Sequence, residues 1–295
     1  MGTIVSFHAH PDDESIASSG TLRRAADAGH RVVLVFGTRG ELGEPVPGVL
    51  AEGEQLSMRR TAEVYRSAEV IGAARVEFLG YTDSGMIGED TNEAPWCFWQ
   101  ADVEQAAHRL AAILAEEQPD VLTIYDDNGG YGHPDHIQVH RVGKRAAELV
   151  PGVLVVQGTM NRDHIQEAFR RAAELGVEIG PPSNDEEPDG VAMATGAAEP
   201  AAAEPDAPAP EFGKPEEVLT HVVDATPVIV TKRASMRCHE SQIGPDHFMS
   251  SIPDEAFAFA FGQEWYLVED VPADPPELFT TFFTPKATFR AATSG

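Results

Sequence analysis

Short apolar runs of β character alternate with segments of helical period through the first half of this chain. No other feature constrains its fold as strongly. Residues 3–7, 31–36, 75–79, 121–125 and 153–156 are expected strands. Residues 15–29, 54–71, 101–117 and 136–149 are expected helices. Apolar residues recur there three and four apart, as in Val103, Ala106, Leu110, Ile113 and Leu114, and Gly29 and Gly72 stand at helix ends. Strand and helix in strict alternation imply right-handed crossovers and a parallel sheet covered on both faces. The expected class is therefore α/β: a Rossmann-like, mainly parallel sheet with helices on both faces, joined by a smaller C-terminal subdomain.

The alternation stops near residue 180. Residues 181–210 hold seven prolines, nine alanines and seven acidic residues, with no lysine or arginine. Such a composition cannot bury enough apolar area to offset its ordering entropy, so it reads as a disordered acidic insertion. The expected organisation is a catalytic core over 1–180, the insertion over 181–215, and a C-terminal part over 216–295 that packs on the core. In that last part, 228–231 reads as a strand, 232–239 as a helix, and 257–268 as an apolar, aromatic stretch.

At 42% hydrophobic residues, the 295-residue chain can build a sizeable core. With 21 basic against 48 acidic residues, its formal charge is −27, which repels phosphate backbones and anionic lipid. No nucleic acid and no membrane is expected as a partner. There is no run of about 18 apolar residues, and Met1–Phe7 lacks the basic start of a signal peptide, so a cytoplasmic enzyme is expected. Two cysteines, Cys97 and Cys238, exclude a zinc knuckle and a disulfide scaffold.

Two polar clusters follow expected strands directly. One is His8-Ala9-His10-Pro11-Asp12-Asp13-Glu14; the other runs from Tyr125 through Asp126-Asp127-Asn128-Gly129-Gly130-Tyr131-Gly132-His133-Pro134-Asp135-His136. Ligands of open parallel sheets bind at the carboxyl ends of strands, where both clusters fall. Imidazole and carboxylate suit Zn²⁺, and a catalytic zinc keeps three such ligands and one open position. Either cluster alone reads equally well as a turn. Together they supply three ligands, with acids left over to serve as a base. A dinucleotide site is excluded, because carboxylates stand where its glycines would be, and no G-x-S-x-G elbow follows any strand. His8 reads as a core or supporting residue, and Glu14 as a cap of the helix opening at Ser15. Asp126 and Asp127 are candidate supports for a ligand, and Trp96, Phe98 and Trp99 candidate packing or sugar-site aromatics.

His10-Pro11-Asp12-Asp13-Glu14 followed by His133-Pro134-Asp135-His136 closely resembles the PIG-L/LmbE-like zinc-dependent N-deacetylases. The longer strings are most similar to the actinobacterial mycothiol-pathway group, comprising an N-acetylglucosaminyl-inositol deacetylase and a mycothiol S-conjugate amidase. Arg60-Thr61-Ala62-Glu63, Asp83-Ser84-Gly85-Met86 and a weaker Lys232…His239…Ser241-Gln242 fit the same group. The resemblance covers residues 1–150 well; the insertion has no counterpart.

The resemblance implies metal ligands His10, Asp13 and His136, with Zn²⁺ as cofactor, although the same donors suit Fe²⁺. It implies Asp12 as general base, and a protonated His133, oriented and kept charged by Asp135, as oxyanion stabiliser. Tyr131 would reach the same oxyanion, and Arg60 and Asp83 would hold substrate. The implied reaction is N-deacetylation of an N-acetylglucosamine-type amino sugar, a small-molecule substrate. Alternatives are an amidase cleaving a larger mycothiol-type conjugate, a deacetylase of a glycosylated secondary metabolite, and a metal- or sugar-binding protein without catalysis. A homo-oligomer is compatible with each.

Overall fold

The computed structural model describes residues 1–174 and 212–293; of the insertion expected over 181–215, residues 181–211 lie outside them. Five strands, β1 (Thr3–His8), β2 (Arg31–Phe36), β3 (Arg75–Phe78), β4 (Val121–Tyr125) and β5 (Leu154–Thr159), run parallel. Helices α1 (Ser19–Asp27), α2 (Leu56–Ile71), α3 (Val103–Glu117) and α4 (Pro134–Leu149) connect them, as the alternation requires. Alternate residues of one strand serve opposite cores. Ile4, Val32 and Leu34 pack against Leu22, Val64 and Ile71, whereas Val5, Val33 and Val35 share the other face with Leu110, Leu114, Val139 and Val142. Both faces are therefore covered, and these strands read as continuous apolar runs.

Three further strands, β6 (His221–Asp224), β7 (Gln263–Leu267) and β8 (Thr284–Pro285), complete the sheet in the order β3-β2-β1-β4-β5-β7-β6-β8. The order in which strands are added reverses between β1 and β4, which run parallel and pair directly through Ile4–Val121, Val5–Leu122 and Ser6–Thr123. The crevice above that reversal is where α/β sheets bind ligands, and it receives both polar clusters.

The C-terminal part does more than lean on the core, because its strands β6, β7 and β8 extend the same sheet in antiparallel fashion. Here the local reading was weaker. Residues 228–231, expected as a strand, open helix α6 (Ile229–Met236), and the stretch 257–268 divides into helix α8 (Asp254–Phe261) and β7. The short helix α7 (Phe248–Ser251) precedes α8. Tertiary contact decides these elements. Lys232 on α6 is buried with its Nζ 2.5 Å from Glu264 of β7 and 2.8 Å from the carbonyl of Ile16. Glu264 also accepts the backbone N–H groups of Gly20 and Thr21 at 2.8 and 2.7 Å. A Cβ on Gly20 would stand 2.4 Å from that of Ala225, so glycine is what lets α1 approach so closely.

Candidate metal and catalytic site

The turn after β1 bends sharply. Asp12 has φ +117°, a conformation an L residue adopts only where its surroundings hold it, and one π-helical turn (Glu14–Ser18) precedes α1. The strain is held by the Asp12 backbone: its N–H donates to Glu14 Oε2 at 2.9 Å, and its carbonyl accepts from Ser15 N–H and Ser15 Oγ at 2.9 and 2.7 Å. The α-helix expected from Ser15 therefore begins only at Ser19, after a distorted turn that aims Asp12 and Asp13 to different sides.

The second cluster forms the loop before α4. His133 is the N-cap of α4, with Pro134 in its first turn. Gly129 has φ +61°, and a Cβ there would lie 2.4 Å from that of His136, so only glycine lets this loop lie on the helix. Its carbonyl meets His136 Nδ1 at 3.1 Å.

The two turns bring the expected donors together. Ring nitrogens of His10, His133 and His136 lie within 4.8 Å of one another. Asp13 Oδ2 is 3.7 Å from His10 Nδ1, and Asp13 Oδ1 is 3.4 Å from His136 Nε2. On each imidazole the far nitrogen is already engaged: His10 Nε2 with Asp135 at 3.2 Å and Asp83 at 3.5 Å, His136 Nδ1 with the Gly129 carbonyl. The near nitrogens therefore both face Asp13. Metal-ligating histidines are held in this way, by a carboxylate or carbonyl on the other nitrogen, so these residues fit a divalent cation.

Electrostatics agree with that fit. Burial opposes ionisation of Asp13, yet His136 and His10 hold its carboxyl down to about 2. Burial pushes His136 down to about 4, leaving a neutral imidazole. Burial also opposes charge on His10, but Asp83, Asp135 and Asp13 outweigh it and raise the ring well above 6.5; a cation would displace that proton. Asp12 is distinct: burial pushes it up to about 7, against the pull of Arg60, whose Nη2 lies 3.1 Å from Oδ2.

The structure places the other expected residues as follows. Asp135 does not orient His133 through its carboxylate, which instead meets His10, Ser84 Oγ and, at 3.0 Å, Ser84 N–H. His133 Nδ1 accepts the Asp135 backbone N–H at 3.1 Å, so its proton sits on Nε2. Burial, with His10 beside it, pushes His133 down to about 3, against the pull of Asp135. Arg60 is buried; its Nη1 and Nη2 meet Asp12 and the carbonyls of Gly40 and Pro11, the last two at 3.0 and 2.5 Å, while its Nε has no partner among the described residues. Asp83 likewise turns inward, to His10 and the N–H groups of Gly85 and Leu42. The Tyr131 hydroxyl lies 3.4 Å from His136 Nε2, and burial raises its phenol well above the ordinary value.

Glu14 is not a helix cap. Fully buried, it accepts from Ser67 Oγ at 2.5 Å and meets His239 Nε2 at 2.7 Å while holding the Asp12 backbone. His239 thus enters the site from the C-terminal part, where Ser241 also donates through N–H and Oγ to Glu63 at 2.9 and 2.6 Å. Arg60, Glu63 and Ser67 share one face of α2, three and four residues apart. His8 lies behind the donors, bonded to Ser6 at 2.7 Å and Tyr125 at 2.9 Å, with Tyr125 stacked on His136. Asp126 organises its own loop through the N–H groups of Asn128 and Gly130, and Asp127 pairs with Lys214. Phe98 is core, edge-on to Phe7. Sequence reasoning named Ser84 and Lys232 only as members of matching strings and missed their partners Asp135 and Glu264; a glutamate inside an aromatic run and a lysine beside apolar helix positions were the signal of the second pair.

A doubly covered α/β sheet with a histidine–carboxylate donor set at its point of strand reversal, and an acid held beside it, defines the class of metal-dependent hydrolases. Residues 5–147 match the family described as PIG-L, GlcNAc-PI de-N-acetylase. A 1D-myo-inositol 2-acetamido-2-deoxy-alpha-D-glucopyranoside deacetylase of Thermomonospora curvata is 35% identical over 286 residues, 92% of each chain. One from Nocardiopsis dassonvillei is 41% identical over 257 residues, 80% of this chain and 83% of that one. Among solved structures, an N,N'-diacetylchitobiose deacetylase from Pyrococcus horikoshii matches with a TM-score of 0.54 at 21% identity, over 98% of this chain and 88% of that one. The chain belongs to the PIG-L deacetylase family. Among the described residues, no helix is long and apolar enough to cross a membrane.

Proposed function

We propose that this protein is a zinc-dependent N-deacetylase acting on an N-acetylglucosamine-type amino-sugar conjugate, with His10, Asp13 and His136 as metal ligands. The single observation that carries the reading is the orientation of two imidazoles, each pinned at its far nitrogen, toward one carboxylate, with Asp12 excluded from that set. The relatives named as deacetylases of a 2-acetamido sugar support the substrate class. Zn²⁺ bound there would polarise the amide carbonyl and bring a water's pKa towards 7; Fe²⁺ suits the same donors.

The remaining chemistry belongs to the chain. Asp12, held by Arg60 and by its own strained turn, takes the water's proton and returns it to the leaving amine. His133 Nε2–H and the Tyr131 hydroxyl, both donors by their protonation, face the oxyanion that develops on the carbonyl. Asp83, Asp135 and Ser84 hold His10 in register.

Zinc-loaded protein should release free amine from at least one of a panel of N-acetylglucosamine conjugates, and exhaustive chelation should abolish the release. Zinc-loaded protein inert toward the whole panel, or turnover undiminished after chelation, would refute the assignment.

A further inference from the structure

Beside the metal donors the structure opens a cavity of about 350 Å³ that runs away from them between β5, α5 (Arg162–Glu174), α7 and α8. Asp13, Tyr131 and His136 form its inner end; Ile165, Phe169, Phe248, Met249, Ile252 and Phe259 are among the side chains along its length. None of Asp12, His133, Arg60 or Asp83 lines it. Its basic wall residues are occupied within the protein. Lys232 pairs with Glu264, His164 Nε2 meets the Phe259 carbonyl at 2.8 Å, and Arg171 lies over the Phe259 ring and pairs with Glu167. The cavity therefore offers a polar sugar little and an apolar chain a great deal.

Its volume falls in the range of small-molecule sites, roughly 300–1,000 Å³. The methyl of an acetyl group, comparable to one water at about 30 Å³, would leave most of it empty. Sidedness decides which part of a substrate enters. Asp12 must reach the leaving nitrogen, so the amine lies on the Asp12 side. The carbonyl substituent then points the opposite way, past Tyr131 and His136. We infer that this cavity is an acyl-chain subsite, and that the protein prefers N-acyl amino sugars with a medium-length aliphatic acyl group over N-acetyl ones. The inference rests on the deacetylase reading above and deepens it. The bonds exchanged are unchanged: the C–N bond breaks, the water's oxygen joins the acyl carbon as carboxylate, and both of its protons end on the nitrogen, which leaves as an ammonium group.

Each buried methylene is worth roughly threefold to fourfold in binding. With zinc-loaded protein, kcat/KM for N-hexanoyl- or N-octanoyl-glucosamine should exceed that for N-acetylglucosamine at least tenfold. The octyl glycoside of N-acetylglucosamine should gain much less than the N-acyl series. Octanoate should also bind the metal-free protein more tightly than acetate by titration calorimetry. Ala168→Trp, narrowing the cavity, should lower the octanoyl-to-acetyl ratio at least tenfold, with folding checked by circular dichroism. Acetyl turnover that falls steadily as the acyl chain lengthens would overturn the inference and leave the deacetylase reading standing. A gain confined to the octyl glycoside would overturn it equally, by moving the apolar group to the sugar side. Failure to hydrolyse any N-acyl sugar would instead bring down the parent reading.

Discussion

The parallel half of the sheet and its antiparallel extension meet at one site and contribute to it in opposite ways. From β1 and β4 come two turns that carry every expected donor and the expected base, each turn within a dozen residues of sequence. From the part built on β6–β8 comes no donor. It supplies His239 behind Glu14, Ser241 against Glu63, and Lys232 against Glu264, pairings that span 225, 178 and 32 residues. Chemistry is local in this chain, and support is long-range. Both are buried, so each charged group of the support must be matched.

The sharpest division comes from Asp12→Ala. Turnover should fall by roughly 10²–10⁴-fold while zinc content stays near one per chain, measured by metal analysis beside single-turnover rates. Loss of zinc together with activity would make Asp12 a donor and not the base.

His239→Ala attacks the other half. It strands the Glu14 carboxylate in a fully buried place, and removal of one partner of a buried pair costs about 3–5 kcal/mol, readable in urea denaturation. Zinc affinity should change far less than stability; the reverse pattern would place His239 among the donors and erase the contrast between halves.

Gly129→Ala presses on His136 from within the donor turn. Displacing a ligand's support costs about 10–100-fold in metal affinity, so competition with a chelator should register a loss of that size. Unaltered affinity would mean that the loop yields without moving the ring.

The smallest effect is a pH dependence of the support. Burial opposes charge on His239, but Glu14 outweighs it and raises the ring above its ordinary 6.5, so its contribution is full below 6.5 and fades as pH rises through the raised value. Burial likewise opposes charge on Glu14, but His239 lowers it below 4.5; its contribution is full above 4.5 and fades as pH falls through the lowered value. The stability gap between wild type and His239→Ala should therefore be widest between about pH 4.5 and 6.5 and narrow above it. A gap that is flat from pH 5.5 to 9 would show that the pair holds no charge worth the name.

Much of the first half was legible because its signals are short-range. Strand runs at 3–7, 31–36 and 121–125 lie within a residue or so of β1, β2 and β4, since apolar period and chain sterics fix both. The two clusters were legible for the same reason: residues adjacent in sequence at a strand's end must share the crevice. Roles were harder. Arg60 and Asp83 looked like groups offered to a substrate, and burial turned them inward. Asp135 looked like the partner of His133, and helix α4 gave its backbone N–H to that ring but its carboxylate to His10.

By itself, then, the sequence determined the parallel sheet, its crossovers and the inventory of donors, because periodicity, turn chemistry and residue type act over a few positions. Only the tertiary structure decided that 228–231 would be helix, that Glu14 would face His239, that the Asp135 carboxylate would meet His10, and that an apolar cavity would open beside His136. Those outcomes depend on desolvation and on partners far along the chain. Such quantities exist only once the elements have packed.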